Sequence, residues 1–158
     1  TLSGFHQPPP AHSSEHRAEF VTGCCMLLAG DLLRAGLRFD EDYFLYCEDA
    51  DLCREVQARG RELWITQRAT ALHAAGGSQP GAPVLGELNA SRLYWLTRGK
   101  VLLARRRLRP LQRMVFLATA WVLKPLLGLL YGRSVQFLGP YLRGLRDGWR
   151  ARRPIRVP

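Results

Sequence analysis

Twelve of the thirteen acidic residues in this 158-residue chain lie in its first 87 positions. Seven Lys and Arg accompany them there, for a net charge of −5. Residues 88–158 hold sixteen Lys and Arg against one acid, Asp147, for a net of +15. Such a stretch cannot neutralise itself with internal ion pairs. Its cations must face water, an anionic surface or an acidic partner. A uniformly basic nucleic-acid-binding domain does not divide in this way. With 47% hydrophobic residues the composition is that of a folded protein, not of a disordered or collagen-like chain. Two unlike regions follow: 1–86, where chemistry-bearing residues gather, and 87–158, basic and mostly α-helical.

In the first region, residues 1–18 carry Pro8-Pro9-Pro10 and the histidines His6, His12 and His16, and read as loop. The apolar run Phe20–Leu28 reads as a buried strand. A short helix over Leu32–Ala35, capped by Asp31, stops at Gly36. An acidic, aromatic loop over Phe39–Phe44 leads to a second helix, from about Glu48 to Ala58, that ends at Gly60. Glu62–Thr66 and Ala69–His73 read as short strands before the glycine break at Gly76-Gly77-Ser78. Strands interleaved with helices indicate an α/β layer. From Glu87 onward, Leu88–Arg107 is helical in pattern, Met114–Leu123 is ten residues without a charge, and Tyr141–Arg153 is basic and aromatic.

The four cysteines, Cys24, Cys25, Cys47 and Cys53, form no C-x-x-C pair and lack zinc-site spacing. Thiols flanked by apolar residues are usually buried and reduced, which points to the cytoplasm. The first twenty residues are polar and proline-rich, unlike a signal peptide.

On a helix, Asp49, Leu52, Cys53 and Val56 share one face, while Asp51, Arg54 and Glu55 point elsewhere. Asp49 therefore opens the apolar stripe. A carboxylate at that place can accept a proton from an incoming hydroxyl. Equally, Glu48, Asp49 and Asp51 are acids of a first helical turn, which the helix dipole favours without any chemistry. His73 ends a strand beside a glycine loop, a place where an imidazole serves either as a metal ligand or as a structural residue.

Three segments carry a resemblance. Phe20–Leu28 (FVTGCCMLL), Leu37–Cys53 (LRFDEDYFLYCEDADLC) and Gly60–Thr66 with Ala71–Ser78 (GRELWIT, ALHAAGGS) occur in the order and spacing of the motifs of family 2 glycosyltransferases. The bacterial rhamnosyltransferase-like members are the most similar. The resemblance runs over residues 18–100 and fades beyond. It implies the acceptor-side half of a GT-A fold and inversion at the anomeric carbon. It assigns Asp49 as general base, with Glu48 beside it shaping the acceptor site. Gly23 and Cys24 would approach the acceptor, and Gly76, Gly77 and Ser78 would lie near the donor diphosphate. His73 would ligate a divalent metal, Mg2+ or Mn2+. Asp40 and Glu41 match an element read as mainly structural. Gly36-Leu37-Arg38-Phe39 departs from the family's two glycines before that element.

Members of the family begin with a nucleotide-binding βαβ half carrying a D-x-D metal motif. The only D-x-D patterns here, Asp40-Glu41-Asp42 and Asp49-Ala50-Asp51, match other motifs. The expectation is thus a fragment or split gene product of an inverting glycosyltransferase. It would move a sugar, rhamnose among the candidates, from a nucleotide-sugar donor to a saccharide or lipid-linked acceptor. A non-catalytic module that binds the acceptor or tethers a nucleotide-binding chain is the alternative.

The basic region fits helices lying in a membrane interface. Its uncharged run is well short of the roughly 20 residues that a span needs. Its apolar blocks are flanked by arginine and interspersed with Trp121, Tyr131, Tyr141 and Trp149. A re-entrant hairpin broken at Pro125 and a solvated basic face over a helical core are the other arrangements. A strand platform of stacking aromatics is missing, which argues against nucleic acid. The expected location is the cytoplasmic face of a bacterial plasma membrane.

Overall fold

A computed structural model describes residues 15–69, 71, 90–126 and 137–151. The protein is mixed α/β: mostly helical, with one small antiparallel sheet. It divides into two compact units, Thr1–Phe39 with Asp49–Ala75, and Asp40–Glu48 with Gly76–Pro158. The expected boundary near residue 86 lies outside the described residues, as does most of the expected strand Ala69–His73.

In the first unit, β1 (Glu15–Ala18) pairs antiparallel with β2 (Leu63–Thr66), in the register Glu15 to Thr66 and Ala18 to Leu63. The strand reading of 62–66 holds to one residue. The loop reading of 1–18 fails at 15–18, because β2 needs a partner for its backbone groups and β1 supplies it. Helices α1 (Gly30–Arg34) and α2 (Glu48–Ala58) complete the unit.

Both helices end as the glycines foretell. Gly36 and Gly60 take φ of +80° and +75°, a conformation that only glycine adopts at no steric cost. After each, the chain folds back. Leu37 N–H donates to Leu32 O at 2.9 Å, and Arg61 N–H to Val56 O at 3.2 Å. Gly36 and Gly60 N–H complete the two Schellman motifs through Leu33 O and Gln57 O. The turn at Gly36 delivers Leu37 into a core with Leu32, Leu52 and Val56, against which Met26, Leu28 and Leu63 pack. Asp31 is not a cap. Ala29 holds that position, and Asp31 lies in the first turn, ion-paired to Arg61.

The run Phe20–Leu28 is not a strand, and Leu27 at its far end is almost fully exposed. Its backbone groups find partners on α2 instead, as set out below.

In the second unit, α3 (Ala90–Arg107) packs against α5 (Leu138–Arg150). Contacts of Gly144 with Thr97, of Gly148 with Val101, and of Arg105 with Ala151 advance together, so the two helices run parallel. Glycine makes the approach close. A Cβ on Gly144 would stand 2.7 Å from Tyr94 O, and one on Gly148 2.6 Å from Arg98 O. Arg105 closes the far end, donating to the carbonyls of Gly148 and Ala151 at 2.9 Å, where cations favour a helix C-terminus. Helix α4 (Pro110–Ala118) begins with proline at its first position and runs into a π-helical turn, Thr119–Leu123. Two side chains bond the junction: Thr119 Oγ1 donates to Val115 O at 2.8 Å, and Tyr141 OH to Ala120 O at 2.7 Å. Val101, Ala120 and Leu145 form the core here, with Phe116 and Tyr141 against it.

Candidate functional site

The first unit contains a simple geometric match. Residues 19–23 run antiparallel along α2, and alternate residues meet α2 side chains four positions apart. Gln57 Nε2 donates to Glu19 O at 3.1 Å. Val21 N–H and O both reach Cys53 Sγ at 3.5 Å. Gly23 N–H donates to Asp49 Oδ2 at 3.1 Å. Two residues of extended chain advance about 6.6 Å and four of helix about 6 Å, so the two ladders stay in step. The side chains of α2 do the work expected of a neighbouring strand, which is why the apolar run needs no sheet.

Asp49 is held at both oxygens. Besides Gly23 at Oδ2, the N–H of Ala50 donates to Oδ1 at 2.8 Å. A carboxylate accepts about four hydrogen bonds, so two acceptor positions remain after the two from described residues. Gly23 makes room for this approach. A Cβ there would lie 3.3 Å from Asp49 Cβ. The structure thus joins Gly23 and Asp49, the residues that the resemblance implies for acceptor and base. Cys24, next along, is exposed, and its Sγ lies 3.0 Å from Thr22 Oγ1.

The cysteines divide. All four are free thiols, but Cys24 and Cys25 are exposed, contrary to the expectation that such thiols are buried. They lie beyond the point where the chain leaves α2. Cys53 is buried; burial pushes its thiol above the ordinary value, with the negative charge of Asp49 adding to the shift and the hydrogen bond to Val21 opposing it.

Asp51 corrects the helical wheel. It sits off the apolar stripe yet is only 5% exposed, so α2 is covered on more than one face. Glu48 begins the helix, and its Oε2 is buried with no hydrogen-bond partner among the described residues.

In the second unit, the turn before α2 is strained. Tyr46 and Cys47 take φ of +66° and +70°, a left-handed conformation that costs non-glycine residues about 1–2 kcal/mol each. Gly99 of α3 accommodates them. A Cβ there would lie 2.6 Å from Tyr46 O. Around this turn Phe44 packs on Trp95 with ring centroids 4.5 Å apart.

Two arginines hold the acidic loop, Arg98 at the carbonyl of Asp42 and Arg106 at the carboxylates. Arg106 bridges the carboxylates of Asp40 and Asp42 with its two terminal nitrogens and lies over the Tyr43 ring, 5.4 Å from its centroid. Asp42 N–H turns back onto Asp40 Oδ1 at 2.9 Å. Bridged in this way, Asp40 and Asp42 do not fit a divalent metal, which would have to displace a nearly buried guanidinium. The reading of Asp40 as structural agrees with this geometry. Among the described residues no cluster of three or more His, Cys, Asp or Glu is arranged to hold a metal ion. His73, Gly76, Gly77 and Ser78 lie outside the described residues.

Arg106 and Gln57 were missed in the sequence, as were the bonds of Cys53 to Val21. Arg106 is one of three consecutive arginines, and a helix turns only one of a run toward a given neighbour. The signal for Cys53 and Gln57 was their place four and eight residues after Asp49, on one face of the helix.

No family model, curated protein or solved structure matches this chain.

Proposed function

We propose that the protein is the acceptor-side part of an inverting, GT-A-type glycosyltransferase of family 2, with Asp49 as its general base. The observation that carries the reading is the hydrogen bond from Gly23 to Asp49, which joins two of the three motifs of the resemblance. The acceptor is a saccharide hydroxyl. Asp49 takes the hydroxyl proton as the oxygen bonds to the anomeric carbon of a nucleotide-sugar. The bond from that carbon to the diphosphate breaks, and its electron pair leaves with the nucleotide. The two backbone N–H groups on Asp49 fix its orientation while leaving acceptor positions for the incoming hydroxyl. The metal that the resemblance implies finds no place among the described residues, and the role of Asp49 does not depend on it.

A second reading is favoured by the same two bonds. A carboxylate engaged on both oxygens by backbone also serves as a fastener between residues 19–23 and α2, in a module that binds the acceptor without transferring sugar. Sugar transfer from a nucleotide-sugar, assayed with the nucleotide-binding half joined to this chain, separates the two. Transfer that depends on Asp49 supports the enzyme. Acceptor binding without transfer supports the module.

A further inference from the structure

Helix α4 and the turns after it are built the wrong way round for a protein that faces only water. Phe116 and Ala120 point inward, against Val101, Leu145 and Tyr141. The opposite face carries Leu111, Met114, Val115, Val122, Leu123 and Leu126, all between 48% and 72% exposed. These residues recur at three- and four-residue spacing. None of the residues of α4 is fully buried.

The charges around the stripe have one sign. Arg109 and Lys124 bracket it in sequence, Arg113 turns inward to donate to Arg105 O at 3.4 Å, and no acidic residue lies between 109 and 126. A second copy of the chain meeting this face through itself would bring like charges together with nothing to pair them. An anionic bilayer offers both complements, acyl chains for the stripe and headgroups for the cations. Among the described residues no helix is long and apolar enough to cross a membrane, so contact would be in the plane of the interface.

We infer that the face formed by Leu111, Met114, Val115, Val122 and Leu126 docks on an anionic lipid surface, with Arg109 and Lys124 at headgroup level. This inference does not rest on the sugar-transfer reading.

The test is co-sedimentation of the full chain with vesicles of phosphatidylcholine plus phosphatidylglycerol, and with vesicles of phosphatidylcholine alone. It compares the wild type with the double variant Val115→Asp, Val122→Asp. Both positions are exposed, so the variant keeps its thermal midpoint. The wild type is expected to bind the anionic vesicles and to bind neutral ones far less, with the difference shrinking as salt rises. The double variant is expected to bind about tenfold more weakly or worse. Absence of wild-type binding, or equal binding by the variant, overturns the proposal. So does a lowered thermal midpoint without vesicle binding, which would put another segment of the chain over this face. A wild-type dimer that the variant abolishes, again without vesicle binding, assigns the face to a second copy.

Discussion

The backbone N–H of Gly23 donates to Oδ2 of Asp49 at 3.1 Å, closing a separation of 26 residues. Gly23 is otherwise exposed, so this one bond protects its amide. Replacing Asp49 with alanine removes the acceptor. A net loss of about 1 kcal/mol corresponds to a roughly fivefold faster opening. Hydrogen exchange at Gly23 should accelerate by about that factor in Asp49→Ala, while the Leu37 amide, held by Leu32, should not change.

Arg106 holds two carboxylates with a side chain only 9% exposed. Arg106→Met leaves Asp40 and Asp42 side by side without their cation. Breaking a buried pair costs about 3–5 kcal/mol, and the partial exposure of Asp42 puts the expectation at the lower end. Arg106→Lys should recover little, since an ammonium cannot bridge both carboxylates as the guanidinium fork does. Urea denaturation of the two variants checks both statements.

Gly144→Ala and Gly148→Ala should each destabilise the second unit. The added carbons would meet backbone carbonyls of α3 at 2.7 and 2.6 Å, and such overpacking costs about 1–3 kcal/mol. Gly139→Ala, in the same helix, meets nothing within 4 Å. It should hold or raise stability by up to about 1 kcal/mol, since alanine favours helix over glycine. Thermal melts of the three variants should rank accordingly.

How far the sequence foretold the structure depended on where each signal resides. Gly36 and Gly60 ended their helices as expected, because a left-handed residue after a helix is a local requirement. Helix α2 was legible from Leu52, Cys53 and Val56, and Asp49 from its place before them. Phe20–Leu28 was misread as a buried strand: none of its residues is buried, and Cys24, Cys25 and Leu27 are exposed, because apolar composition alone specifies neither burial nor neighbour. Backbone groups of Val21 and Gly23 bond to Cys53 and Asp49, and that of Glu19 just before the run to Gln57, a pairing visible only once helix and chain lie side by side. The burial of Asp51 and the bridge from Arg106 were illegible for a related reason. Each depends on contacts brought from elsewhere in the chain, which a helical wheel does not contain. The approach of α3 to α5 was present in Gly144 and Gly148, four apart, yet a pair of glycines in a basic tail gives no hint of its partner.

The account turns on Asp49. Asparagine keeps the shape of the side chain and an amide oxygen for one of the two N–H bonds, but it cannot take a proton. In the assay with the nucleotide-binding half joined to this chain, Asp49→Asn should lower kcat for sugar transfer by about 10²–10⁴-fold, with KM for the acceptor little changed and the circular dichroism spectrum intact. Transfer at close to the wild-type rate in that folded variant would contradict the assignment of Asp49 as the base.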